Sequence, residues 1–205
     1  MENRIFKLSA LSEKTSLQTR YNSMLAGNAS YIPAFNSIQT TTVGAGGSST
    51  ITFSSIPQTY THLQVRLFAR LTSSVNVDDT NWTFNGDTGA NYYATHQLRG
   101  NGSAVSGYAS GANNYFRPCP PPGALTGSNI FSIGIIDILE YSTSGQKYKT
   151  IKSMSGYADN TGNFNASFWF RSSLWMNTNA VSSISIAANS GNLAQYTHAA
   201  LYGVV

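Results

Sequence analysis

Cysteine and charge are both nearly missing from this chain. Cys119 is the one cysteine, which excludes an intrachain disulfide and a cysteine-based zinc site. It sits in "RPCPPPG", a stiff loop with no histidine beside it, so a structural thiol is expected. Charged residues make up only 10% of the 205, against roughly a quarter in an ordinary soluble domain. The balance of +4, from 12 Lys+Arg and 8 Asp+Glu, is not gathered into any basic cluster. A nucleic-acid partner is therefore not expected, because such binders concentrate their cations on one face. No run approaches the roughly 20 apolar residues of a membrane helix, so no membrane partner is expected either. The start, "MENRIFKLSALSEK", has no apolar core after its basic residues, and a secretory signal is not expected.

Ser, Thr, Asn and Gly take the place of charge, beside 12 Tyr and 10 Phe. That mixture is poor in helix formers and suits strands and turns. It also argues against disorder, which combines low hydrophobicity, high net charge and few aromatics.

Two regions differ in character. Residues 1–35 hold the one credible helix: Ser12 can cap it, Leu17, Tyr21, Met24 and Leu25 recur at helical spacing, and Gly27 can end it. Leu8 and Leu11 can join the same apolar stripe. So short a helix needs a surface to pack on, either the body's own core or a neighbouring subunit. From residue 36 the period changes to two. "SIQTTTVGAGGSSTITFSSI" (37–56) reads as strand, glycine turn, strand, with Gly44, Gly46 and Gly47 in the turn. In "THLQVRLFARL" (61–71), Leu63, Val65, Leu67, Ala69 and Leu71 face one way and His62, Gln64, Arg66, Phe68 and Arg70 the other. "NIFSIGIIDILEY" (129–141) is nearly all apolar and reads as a central strand. "KYKTIKSMSGYA", "NASFWFRSSLWM", "AVSSISIAA" and "YTHAALYGVV" continue the series. About nine strands at regular spacing predict an all-β fold, an antiparallel β-sandwich of jelly-roll type over 36–205.

"FNGDTGANYY" (84–93) is the richest candidate site. It is no phosphate cradle, because a strand-like stretch rather than a helix follows it and no Gly-Lys-Ser/Thr completes it. Asp78, Asp79 and Asp87 together give too few ligands for a calcium loop. The economical reading is a turn: Asn85, Gly86, Asp87 and Gly89 shape it, with Gly86 and Gly89 at positive φ. Asp87 accepts backbone N–H groups, and Phe84 and Tyr92 anchor the loop in the core. Trp82, Asp87, Tyr92 and Tyr93 also have the composition of a glycan or subunit contact, as do Trp169 and Trp175; a core role is the competing expectation.

Catalytic arrangements are not expected. Asp137 and Glu140, three apart on or beside a strand, point to opposite faces, which does not suit a glycosidase pair. His62, His96 and His198 sit among strand residues, without a second ligand at metal spacing or a nucleophile elbow. Neither an enzyme nor a cofactor is expected.

"VGAGGSSTITFSSIPQTYTHLQVRLFAR" (43–70), "FNGDTGANYYATHQLRGNGSAV" (84–105), "KYKTIKSMSG" (147–156) and "SLWMNTNAVSSISI" (173–186) form a linked series. Together they resemble a group of tailed-bacteriophage virion proteins, over about residues 37–205. The resemblance implies a structural module of the virion, made in the host bacterial cytoplasm and assembled as a symmetric homo-oligomer, a trimer for preference. On this reading it is a capsid decoration (cement) protein bound to the major capsid protein. The alternative is a tail or fibre receptor-binding module that joins tail proteins and touches host glycans. Residues 1–35 lie outside the resemblance and are read as the attachment arm.

Overall fold

The computed structural model describes residues 34–159 and 167–205. The expected arm, with Leu8, Leu11, Leu17, Tyr21, Met24 and Leu25, lies outside the described residues. Phe35 belongs to the body, since it opens the first strand. Eleven strands follow: β1 (Phe35–Thr42), β2 (Thr50–Phe53), β3 (His62–Ala69), β4 (Thr80–Phe84), β5 (Tyr92–Gly100), β6 (Val105–Asn113), β7 (Ser132–Ile138), β8 (Lys149–Tyr157), β9 (Ser167–Trp175), β10 (Ile184–Ala188) and β11 (His198–Val204). No described residue is helical.

The strands form an antiparallel sheet of eight, ordered β1-β11-β3-β7-β8-β9-β5-β6, and a second of three, ordered β2-β10-β4. The expected sandwich is present, but eight against three makes it lopsided, and its jelly-roll refinement finds no support in this division. Two elements escape the sequence reading. β4 is only five residues long, and β6, "VSGYASGAN", has the composition of a loop. The glycine turn after β1 is also not a hairpin. β1 pairs with β11 and β2 with β10, so the chain crosses from one sheet to the other, with Gly46 and Gly47 at positive φ.

Period-two alternation produces the core. Leu63, Val65 and Leu67 of β3, Ile136 and Ile138 of β7, Ile151 of β8 and Trp175 of β9 point inward from the large sheet. Ile51, Phe53, Trp82, Phe84, Ile184 and Ile186 meet them from the small one. The proline-rich loop wedges between the layers: Trp82 and Phe116 form an isolated bridge, Thr80 Oγ1 donates to Cys119 O at 2.7 Å, and Ser153 Oγ donates to Pro118 O at 2.7 Å. Cys119 is fully buried there, and burial pushes its thiol up to about 11. A structural thiol follows.

One buried charge is compensated. Arg171 projects inward from β9, its side chain only 6% exposed, and its Nη1 meets Asp79 Oδ1 at 2.6 Å and Arg117 O at 2.8 Å. Leaving a guanidinium uncompensated in such a place costs several kcal/mol.

Candidate interaction face

The loop that carried most of the site expectations is structural. Asn85 (φ 54) and Gly86 (φ 68) are both left-handed, and Asp87 N–H donates to Phe84 O at 2.9 Å, which makes a type I′ turn. Asn85 also clamps the strand entry opposite: its Oδ1 accepts from the Ser182 and Ser183 N–H groups at 2.8 and 3.1 Å, and its Nδ2 donates to Ala180 O at 2.8 Å. Gly89 corrects the expectation, since its φ is not positive; a Cβ there would lie 2.8 Å from Asn91 Nδ2.

Asp87 accepts from Gly89 N–H at 2.9 Å, from Trp175 Nε1 at 2.8 Å and from Asn91 Nδ2 at 3.1 Å on both oxygens. Partial burial alone would raise this carboxyl; the hydrogen bonds from Trp175, Gly89, Asn91 and Asn177 outweigh it and hold the group below the usual range. Tyr92 closes the loop, its hydroxyl accepting from Phe84 N–H at 3.0 Å and reaching Asp87 O at 3.1 Å.

The glycan-platform expectation is corrected for Trp82 and Tyr92. Both are fully buried, in one aromatic cluster with Phe84, Phe116 and Trp175, as a tight sandwich core requires. Trp169 is buried as well. The side chain of Tyr93 lies outside the described residues. Asp78, Asp79 and Asp87 do not converge on an ion: Asp78 accepts from Asn189 Nδ2 at 2.8 Å, Asp79 pairs with Arg171, and Asp87 holds its turn. Among the described residues no group of three metal-ligating side chains stands together. His62 accepts the Glu140 N–H at 2.9 Å, and His198 Nδ1 lies 2.8 Å from Thr42 Oγ1.

A different surface stands out. The large sheet has a second face, which no described element covers. Cross-strand register places Ile135 (β7), Met154 (β8), Phe170 (β9) and Leu98 (β5) in one row. The next row carries Phe68 (β3), Ile133 (β7) and Phe168 (β9), with Gly156 and Gly100 on either side of Phe168. Those glycines are required by close approach: a Cβ at Gly100 would lie 2.3 Å from the Phe168 ring. Phe68, Leu98, Ile133, Met154, Phe168 and Phe170 are between 45% and 61% exposed. Phe168 and Phe170 meet edge to face at 5.7 Å, and Phe68 stacks on Phe131 at 4.7 Å.

A polar row borders this strip: Gln64, Asp137, Lys152, Ser172 and His96 follow one another across the same strands. Gln64 Nε2 donates to Asp137 Oδ1 at 2.9 Å and Arg66 Nε to Gln64 Oε1 at 3.0 Å. Between the two kinds of row runs an open groove of about 410 Å3, lined by His96, Asp137, Lys152, Met154 and Phe170 among others. The face carries its apolar strip at one end of the strands, with Arg66 beside Ile135 in the inner row, and its polar row across their middle, a surface suited to a broad, flat protein contact.

These apolar face residues were missed as a site, although the signal is present. β7 is apolar on both sides, the pattern of a strand buried on both faces, and "SFWFRSSLW" alternates Trp with Phe. The sandwich covers one of those sides. Compared with protein-family models, with curated proteins and with solved structures, the chain matches none.

Proposed function

We propose that this chain is a structural subunit of a tailed-bacteriophage virion, a capsid decoration protein that works by surface-to-surface assembly and carries out no chemistry. The observation that carries the reading is the open face of the eight-stranded sheet. An antiparallel sheet that faces water usually turns polar residues outward. Here one row carries Ile135, Met154, Phe170 and Leu98 across β7, β8, β9 and β5, and the next carries Phe68, Ile133 and Phe168 on β3, β7 and β9.

Scale supports the same conclusion. Five strands at about 4.8 Å spacing and about 13 Å of strand length give the apolar strip roughly 300 Å2, within a sheet face of roughly 950 Å2. The strip has the size of the largest apolar patch on a typical monomer, and such a patch is often a contact site. The low charge fits as well, since a contact made by apolar side chains and amides responds little to salt. The phage assignment comes from the sequence resemblance over 37–205.

The tail or fibre alternative loses two of its candidate glycan contacts, because the Trp82 and Tyr92 rings are buried. Immunogold microscopy of the virus particles that carry this chain separates the readings. Label spread over the head is expected; label at the tail tip would favour the receptor-binding module, and unlabelled particles would end the virion proposal.

A further inference from the structure

The chain has three histidines, His62, His96 and His198, and all of them project from the same face of the large sheet, the one that carries the apolar strip. Directly paired residues on adjacent strands share a face, so the register decides each case. His198 pairs with Phe68, and His96 pairs with Ser172. His62 precedes the inward Leu63 and lies on the side of Gln64, Arg66 and Phe68.

Two of the three border the strip. His198, on β11, extends the row of Phe68, Ile133 and Phe168 by one strand. His96, on β5, ends the polar row two residues from Leu98, and it lines the groove with Met154 and Phe170. His62 lies apart, at the other end of β3. Its Nδ1 accepts the Glu140 N–H at 2.9 Å, beside the Glu140–Lys147 ion pair.

Cations are the charged neighbours of both border rings. Beside His198, β3 places Arg66 and Arg70 two residues either side of Phe68, while β1 and the rest of β11 carry no charge. Thr42 Oγ1 lies 2.8 Å from its Nδ1, and a hydroxyl serves a neutral or a charged ring alike. Beside His96, Ser172 and Ala109 on the flanking strands are uncharged, and Arg99 of its own strand turns to the other side, over Trp169. Lys152 is the nearest charge in the row, two strands away at about 10 Å. Asp137 lies one strand farther, and its Oδ1 accepts from Gln64.

We infer that this face makes a pH-sensitive contact: a protein surface covers it while His96 and His198 are neutral, brings no carboxylate to either ring, and is released on acidification. The inference rests on the proposed reading of this face as the interface. An imidazole in water takes up a proton near pH 6.5. Cover removes that water and disfavours the charged ring, and the neighbouring cations disfavour it further. The covered state then holds fewer protons than the free one. By linkage, association is complete above about pH 7.5 and weakens as pH falls through about 6.5. At pH 5.5 each ring that must stay neutral weakens binding about tenfold.

The test measures binding of the full purified chain to particles stripped of it, at pH 8 and pH 5.5 and at one ionic strength. The readout is the ratio of the two affinities, which a uniform loss of binding does not move. The natural chain is expected to bind between about tenfold and a hundredfold more weakly at pH 5.5. His96→Gln with His198→Gln, shown by its melting temperature to be folded at both pH values, is expected to bring the ratio close to one. Each single substitution is expected to give an intermediate ratio, which decides the matter if the double variant does not fold. A natural chain whose ratio is near one, tighter binding at pH 5.5, or a folded double variant that keeps the natural ratio would overturn the proposal and leave the interface standing. No binding at either pH would overturn the interface and this proposal with it.

Discussion

Gly86 and Asp87 show how much one loop position can carry. Gly86 sits at φ 68, where a β-branched residue is strained, so Gly86→Val is expected to lower unfolding free energy by about 1–3 kcal/mol in urea titrations. Asp87 uses both carboxylate oxygens as acceptors. An amide at 87 keeps one acceptor and turns a donor toward Trp175 or Asn91, so Asp87→Asn is expected to cost about 1–3 kcal/mol at neutral pH. The pH dependence has a definite sign. The folded carboxyl titrates below its unfolded value of about 3.9, so its contribution is complete above that pH and is lost as pH falls through the folded value. The stability gap between Asp87→Asn and the natural chain is therefore expected to narrow below about pH 4, and a gap constant down to pH 2.5 would contradict this. The turn was legible because Asn-Gly reports its own backbone conformation. The clamp of Asn85 on Ser182 and Ser183 was not, since its partners lie some hundred positions away in sequence.

Strand elements separate residues that build the fold from residues that use it. Inward positions of β3, β7 and β9 follow the period-two pattern, and the alternation in 61–71 gave the inward side chains of β3 correctly. β6 was invisible because glycine, serine and alanine carry no pattern, and the crossover after β1 was invisible because a glycine turn does not state which strands will pair. Asp79→Ala removes the charge facing buried Arg171 and is expected to cost about 3–5 kcal/mol, measured as a fall in the urea midpoint. Outward positions should behave in the opposite way. Met154→Lys with Phe170→Glu replaces side chains about half exposed in the isolated chain by an opposite-charge cross-strand pair, so the unfolding midpoint is expected to move little. Binding to particles stripped of this chain is expected to be abolished. A double variant that decorates stripped particles at full occupancy would remove the open face from the interface.

At the scale of the molecule, the lopsided sandwich leaves one broad sheet face without a layer over it among the described residues. β7 and β9 carry apolar residues on both sides, and one side is satisfied within the chain. Among the described residues nothing covers the other, and the proposed interface lies there; a sequence read as a self-sufficient sandwich shows the core and not that face. The expected arm of residues 1–35 belongs to this scale also: removing residues 1–33 should leave the body folded by circular dichroism while reducing its retention on particles. The most direct measurement is a cryo-electron microscopy map of the virus particle at side-chain resolution. The result expected is that each copy sits on the head with Ile133, Met154 and Phe170 covered by a neighbouring protein subunit. A map in which the open face of the eight-stranded sheet points into solvent, or in which the particle lacks this chain, would contradict it.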